Sequence, residues 1–179
     1  MSFDLQPVLK SPLVELRPLR AEDYRDLYAV ASDPLIWEQH PVRDRYEEEV
    51  FGEFFRESLA SGGALLAVES KSGAVIGSSR FHGYDAERRE IEIGWTFLAR
   101  PYWGGTYNKE MKRLMLAHAF QFVDSVIFLV GVTNFRSQKA VEKIGGVRAG
   151  SRLDAGGRES YLYRIAAASF APQGTTLKG

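Results

Sequence analysis

No cysteine occurs in the chain, which excludes disulfides, thiolate metal sites and a cysteine nucleophile, and suits a reducing cytoplasm. The histidines number three and form no metal-ligand spacing, and no acidic metal motif appears, so no metal is expected. Neither sign of charge dominates: 23 Lys and Arg balance 23 Asp and Glu. A neutral chain creates no global field for nucleic acid, anionic lipid or polyanions, so any anionic ligand must be held by local geometry. No window approaches the roughly 20 apolar residues that span a bilayer, and Met1 to Ser11 lack an apolar segment behind a basic cluster. The expectation is a cytoplasmic protein with neither a nucleic-acid nor a membrane partner.

What is present suits a soluble globular protein, with 45% hydrophobic and 26% charged residues. At 179 residues the chain fits one domain, expected over residues 1–170. Residues 171–179 lack periodicity and are expected to form a flexible C-terminal tail.

Val14 to Pro18 alternates as a strand, closed by Pro18. Tyr24, Leu27, Tyr28 and Ala31 recur at helical spacing, and Val50, Phe51, Phe54, Phe55 and Leu59 form a second helical stripe ending at Gly62-Gly63. Ala64–Glu69 and Ala74–Phe81 read as a hairpin turning at Lys71-Ser72-Gly73. Ile91, Ile93, Trp95 and Phe97 alternate with Glu92, Gly94, Thr96 and Leu98, which predicts a strand with Phe97 on the Ile91/Ile93 side. A glycine-containing turn then leads into a helix starting at Asn108 and carrying Met111, Leu114, Met115 and Phe122. Val126–Val132 is a buried strand by its continuous apolar run, and Asn134 caps a short helix with Ala140, Val141 and Ile144. Val147–Leu153 and Glu159–Ile165 flank Asp154-Ala155-Gly156-Gly157 in a last hairpin. The order gives an α/β (α+β) protein of about seven strands and four helices.

Gly104-Gly105 before the third helix is chemically suggestive, because a helix N-terminus offers unpaired N–H groups and partial positive charge to an anion. Plain turn chemistry explains the same local pattern. No Gly-Lys-Ser/Thr follows, so it is not a P-loop. Together with this element order, Ile91-Glu92-Ile93-Gly94-Trp95, Tyr102 to Asn108, Asn134-Phe135-Arg136-Ser137 and Glu142-Lys143-Ile144-Gly145 resemble the GCN5-related N-acetyltransferases (GNAT). Within them the chain is most similar to the ribosomal-protein alanine acetyltransferases, from about Leu13 to Ile165. The resemblance implies a central mixed, mostly antiparallel sheet, acetyl-CoA as co-substrate, no metal, and direct transfer to an amine.

The pyrophosphate loop of that family reads Gln or Arg, two residues, Gly, one residue, Gly or Ala. Here Trp103 takes the first position, Thr106 the second glycine's and Asn108 the last, an atypical set that could weaken coenzyme A binding. By resemblance, Phe97, Leu98, Arg100, Trp103, Gly104, Gly105, Thr106, Tyr107, Asn108, Asn134 and Ser137 are the cofactor-binding candidates. Asn134 would contact the pantetheine arm, or serve simply as an N-cap, and the two roles are compatible. Glu92 is the candidate base through water, or else a partner of Arg80 or His82 in a structural ion pair. Ser137 would protonate the departing thiolate, or bond the backbone of its own helical turn. Arg136 and Lys139 would meet phosphates or remain solvated.

The resemblance places the acceptor between the first two helices and the last hairpin, with Trp37, His40 and Glu92 as substrate-binding candidates. Arg43, Arg45 and Tyr46 lie on the helix connection, and Arg152, Asp154 and Arg158 by the hairpin. The acceptor is a primary amine: a protein N-terminus, or alternatively a drug, polyamine or amino acid. A coenzyme A-binding regulatory module without catalysis is the reading from another class. Exposed strand edges would allow a homodimer, which no motif fixes.

Overall fold

The computed structural model describes residues 2–154 and 156–170. The C-terminal tail expected over 171–179 lies outside the described residues, as does Ala155 in the last hairpin. Twelve regular elements follow one another: β1 (Leu9–Lys10), β2 (Val14–Pro18), α1 (Tyr24–Ala31), α2 (Glu48–Ala60), β3 (Ala64–Glu69), β4 (Val75–Asp85), β5 (Glu90–Leu98), α3 (Thr106–Ala119), β6 (Ser125–Gly131), α4 (Phe135–Lys143), β7 (Val147–Leu153) and β8 (Glu159–Ala166). The four helices and the later seven strands match the sequence reading. The added strand, β1, is a two-residue edge pair on β2, too short to show alternation. Helix α3 begins at Thr106 rather than Asn108, because Gly105 at φ 100° turns the chain directly into it.

All eight strands form one sheet in the order β1-β2-β3-β4-β5-β6-β8-β7. Every neighbouring pair is antiparallel except β5 and β6. Helices cover both faces. The stripe Met111, Leu114, Met115 and Ala119 of α3, with Val141 of α4, packs on Ile91, Ile93, Val126, Phe128 and Tyr163. On the other face Leu27 and Ala31 of α1 and Phe51, Phe54 and Phe55 of α2 pack on Leu66 and Phe97. Two packed layers against one sheet exclude water from both faces of the central strands, the main source of stability here.

Two irregularities shape the middle of the sheet. Between Arg80↔Gly94 and Ser78↔Phe97, two steps along β4 answer three along β5, so β5 carries one extra residue. Trp95 absorbs it at φ 52°, a left-handed backbone that costs a non-glycine residue roughly 1 kcal/mol or more. The bulge reverses the inside-out parity of the strand. Phe97 therefore lies on the α1/α2 side and Leu98 joins Ile91 and Ile93, which corrects the simple alternation expected from sequence. Opposite the bulged segment, Gly77 lets β4 approach closely: a Cβ there would fall 2.0 Å from the Phe97 carbonyl oxygen.

The second irregularity is a splay. β5 and β6 pair only over Glu90↔Ser125, Ile91↔Val126 and Glu92↔Ile127, while β6 stays paired with β8 as far as Gly131. Beyond Glu92 the two parallel strands separate and a cleft opens between them.

Candidate active site

The cleft encloses about 660 Å³. Its walls are Thr96, Phe97 and Leu98 of β5, the turn residues Tyr102 to Gly105, Thr106, Asn108 and Lys109 of α3, Asn134, Arg136, Ser137, Lys139, Ala140, Lys143 and Ile144 around α4, and Ile36, Trp37 and His40 from the α1–α2 connection. The lining contains Lys109, Arg136, Lys139 and Lys143 and no acidic residue. Local charge thus supplies the positive potential that the whole chain lacks. The sequence reading gave neither Lys109, which directly follows Asn108, nor Lys143, quoted within the Glu142-Lys143-Ile144-Gly145 motif, a role toward the cofactor.

At one end the chain turns through Gly104 at φ 112° and Gly105 at φ 100° into α3. No side chain caps this helix. The amides of Thr106, Tyr107 and Asn108 precede the first intrahelical bond, Lys109 N–H to the Gly105 carbonyl at 2.8 Å. These N–H groups and the helix dipole make a site for an anion, as the glycine pair suggested. Substituting Thr and Asn for glycine leaves those amides in place. Trp103 is held by its indole N–H, which donates to the Leu98 carbonyl at 2.8 Å, and the Arg136 guanidinium stacks on its ring at 4.1 Å.

At the start of α4, Asn134 accepts from the Ser137 N–H at 3.3 Å, so the N-cap expected from sequence is formed, and the same residue lines the cleft. Ser137 lines it too, and its hydroxyl has no hydrogen-bond partner among the described residues. Two of the residues named from sequence lie elsewhere. Arg100 pairs with Asp33 and faces a different cavity beside α1. Tyr107 turns away from the cleft, its hydroxyl donating to Glu69 Oε1 at 2.8 Å and its ring edge-on to Tyr102.

Glu92 sits where β5 and β6 part, opposite His82 on β4 and Ile127 on β6. Burial pushes its carboxyl up to about 7, while Arg152 and Arg80 pull it back and Asp154 raises it. It makes no ion pair among the described residues, so the alternative of a structural bridge to Arg80 or His82 is not formed. Arg80 instead donates to Ser58 Oγ at 2.6 Å and lies over the Trp95 ring at 4.3 Å. His82 stands edge-on to Trp95 at 5.2 Å.

On the α1–α2 connection, Trp37 is buried and donates to the Ala31 carbonyl at 2.7 Å, so it forms a wall of fixed orientation. His40 accepts from the Val42 N–H through Nδ1 at 2.9 Å and stands edge-on to Trp37. Burial, with Arg45 nearby, pushes the imidazole down to about 3, so it is neutral at physiological pH and unsuited to taking a proton from an amine.

Beneath the cleft lies a feature that sequence reading missed. Lys112 of α3 is 4% exposed, and its ammonium donates to Thr96 Oγ1 at 2.6 Å. Its signal is a lysine spaced helically with Met115, Leu116 and Ala119, all buried.

The chain matches the acetyltransferase (GNAT) domain over residues 14–147. Solved structures share the fold. A GNAT-family acetyltransferase from Bacillus anthracis superimposes with a TM-score of 0.72 at 21% identity, covering 89% of this chain and 98% of that one. Mycobacterium smegmatis RimJ, solved with CoA-disulfide, gives 0.67 at 19% identity over 92% and 88%. Vibrio cholerae spermidine N-acetyltransferase, solved with CoA and spermine, gives 0.65 at 15% identity over 89% and 98%. The domain match covers most of the chain and spans both strands of the splay and the helix between them: the chain belongs to the acetyltransferase (GNAT) family, and its activity is N-acetyl transfer.

Proposed function

We propose that the chain transfers an acetyl group from acetyl-CoA to the α-amine of its acceptor by direct attack, with Glu92 as base. The observation that carries this reading is the cleft at the splay: it runs from the uncapped start of α3 to the β5 bulge, with four basic residues and no acidic one. The residues present fit coenzyme A. Gly104, Gly105 and the amides of Thr106 to Asn108 would hold the pyrophosphate, with Lys109, Arg136, Lys139 and Lys143 as countercharges. The unpaired edge of β5 at Thr96 to Leu98 and the Asn134 amide would hold the pantetheine arm.

Acetyl-CoA supplies an activated acyl group on a good leaving thiolate. Glu92, ionised on one side of a pKa near 7, takes the ammonium proton through water and leaves a neutral amine to attack. A backbone N–H beside the Trp95 bulge would stabilise the developing oxyanion, a role that does not depend on side-chain identity. Ser137, with its hydroxyl uncommitted, relays to the departing sulfur the second proton that the nitrogen sheds after attack, so that the C–N bond forms as the C–S bond breaks and the serine ends as it began.

A base of pKa near 7 is matched to an α-amine at about 7.7–8.0 better than to a lysine amine at about 10.4. The sequence likeness to ribosomal-protein alanine acetyltransferases and the shared fold with RimJ support a protein N-terminus as acceptor; spermidine N-acetyltransferase shares that fold as well. Calorimetric titration with acetyl-CoA, beside a thiol-release assay over α-amines, lysine peptides and polyamines, tests the reading. Acetyl-CoA binding with turnover of α-amines is expected. Binding without any turnover points to a coenzyme A-binding module, and absence of binding removes the site assignment altogether.

A further inference from the structure

Two guanidinium groups between α2, the α1–α2 connection and β4 have almost nothing to donate to. Arg80 is 5% exposed and its one hydrogen bond goes to Ser58; its Nε is buried without a partner. Arg45 also has a buried Nε without a partner. Both lie near the ring of Phe54, with Arg45 at 4.3 Å and Arg80 at 5.9 Å, and they are walled by Trp37 and Trp95 respectively. Among the described residues neither forms an ion pair. Aromatic faces offset part of the cost of burying a guanidinium, but they leave its N–H groups without acceptors.

The neighbouring histidine sharpens this. His40 Nδ1 accepts from Val42, so the neutral ring carries its proton on Nε2. That Nε2 lies 3.4 Å from Arg45 Nη1, which brings two donors together with no acceptor between them. The surrounding carboxylates compensate only in part: Glu57 attracts both guanidinium groups and Asp44 attracts Arg45, but neither accepts a hydrogen bond from them among the described residues. Arg158 adds its field to Arg45 and His40, and Arg152 faces Glu92. The Asp154 carboxylate is engaged within its own turn, accepting from the Gly156 and Arg158 N–H groups at 2.8 and 2.9 Å, and Glu57 is exposed on α2. Glu92 acts on Arg80 as well, more weakly than Glu57, and as the base it carries a proton in part of the cycle.

We propose that Arg45, Arg80 and the Nε2–H of His40 form an anion-binding subsite, and that the acetylated amine carries a carboxylate beside its amino group. The inference rests on the acceptor lying between the helix connection and the last hairpin. A carboxylate supplies an acceptor for the Arg45 Nη1 and His40 Nε2 donors and neutralises the cluster while its amine reaches Glu92. A polyamine brings only further positive charge and is rejected. The carboxylate belongs either to a free amino acid or to an acidic second residue of a peptide.

Binding tests the subsite without turnover. With coenzyme A present, calorimetry with N-acetylalanine and with N-acetylalaninamide should show the free acid binding at least about tenfold tighter, the scale of a charge-assisted hydrogen bond. Turnover then separates the sources: alanine against alaninamide, and Ala-Asp-amide against Ala-Asn-amide, with spermidine as the cationic control. A preference of about tenfold or more in kcat/KM for either acid identifies its source. Arg45→Met should abolish the preference, and the wild-type ratios stand even where that variant does not fold. Equal binding of acid and amide together with equal turnover in both pairs overturns the subsite, as does a preference that survives in folded Arg45→Met. If those amines are nevertheless acetylated, the transfer reading is untouched; if the acid binds preferentially but no amine is acetylated, transfer fails and the subsite stands.

Discussion

The Lys112 ammonium lies 2.6 Å from Thr96 Oγ1, and Thr96 in turn lies 2.8 Å from Ser79 Oγ. A cation on α3 is thus tied through two hydroxyls to β5 and β4 just behind the bulge, with no carboxylate in ion-pair range among the described residues. Burial alone pushes Lys112 down to about 7. The unfolded chain returns it to about 10.4 and so holds more protons between those two values. Stability therefore rises with pH from about 7 to about 10, by a few kcal/mol at most, and the full penalty applies below 7. Lys112→Met should be more stable than wild type at pH 7 and lose this slope. Chemical denaturation at pH 7 and 9 measures both, and an unchanged slope in the variant would assign the pH dependence to another group.

Glu92 titrates near 7 because burial outweighs the pull of Arg152 and Arg80. As a base it works ionised, so kcat/KM should rise through about pH 7 as the carboxyl loses its proton. Glu92→Gln should lower kcat/KM about 10²-fold and remove that limb, leaving the limb of the α-amine itself at about 7.7–8.0. Acetyl-CoA affinity should not change. A variant that keeps both its rate and the limb near pH 7 would remove Glu92 from the proton transfer.

Much of this arrangement is visible in the residue pattern, and the exceptions have physical causes. Helical stripes such as Phe51, Phe54 and Phe55, and the apolar run from Val126 to Val130, report burial directly, so the elements and their order follow from sequence. The bulge does not, because one inserted residue leaves alternation intact on either side while reversing it across Trp95. Tyr107 and Arg100 carry motif spacing but point elsewhere, since Glu69 and Asp33 offer them partners distant in sequence. Lys112 was hidden for the opposite reason: a lysine within an apolar stripe reads as an edge of the solvated face until its burial is seen. The convergence of Arg45 and Arg80 on Phe54 joins segments that no local pattern relates.

Gly105 provides a test of the anion site at α3. At φ 100° an alanine is strained by about 1–2 kcal/mol, yet its Cβ would meet no atom within 4 Å. The cost falls on backbone geometry alone. Gly105→Ala should fold, with acetyl-CoA bound several-fold more weakly because the amides of Thr106 to Asn108 are re-aimed. Gly62→Ala is the matched control: φ is 66°, nothing lies within 4 Å, and the turn after α2 does not line the cleft. Similar losses of stability with loss of affinity only in Gly105→Ala is the expected calorimetric result, and equal affinities would move the anion site away from this turn.

Gly77 tests whether the bulged segment of β5 depends on its neighbour. An added Cβ would lie 2.0 Å from the Phe97 carbonyl oxygen and 3.1 Å from Leu98 Cα, contacts with backbone that no rotamer change relieves. Either β4 and β5 separate at Ser78↔Phe97 or the segment shifts outward, and overpacking of this kind costs about 3 kcal/mol or more. Because Phe97 and Leu98 also line the cleft, the same shift displaces the edge proposed for pantetheine. Gly77→Ala should therefore lower the melting temperature by several degrees, on the scale of about 2–4 °C per kcal/mol for larger domains, and the folded fraction should show a raised KM for acetyl-CoA. Gly73→Ala, at the β3–β4 turn with open space around it, separates the two effects: its strain is local, so stability falls while KM holds. A Gly77→Ala protein with wild-type KM would mean that the cleft edge is set by the Trp95 bulge alone, independently of the close approach of β4.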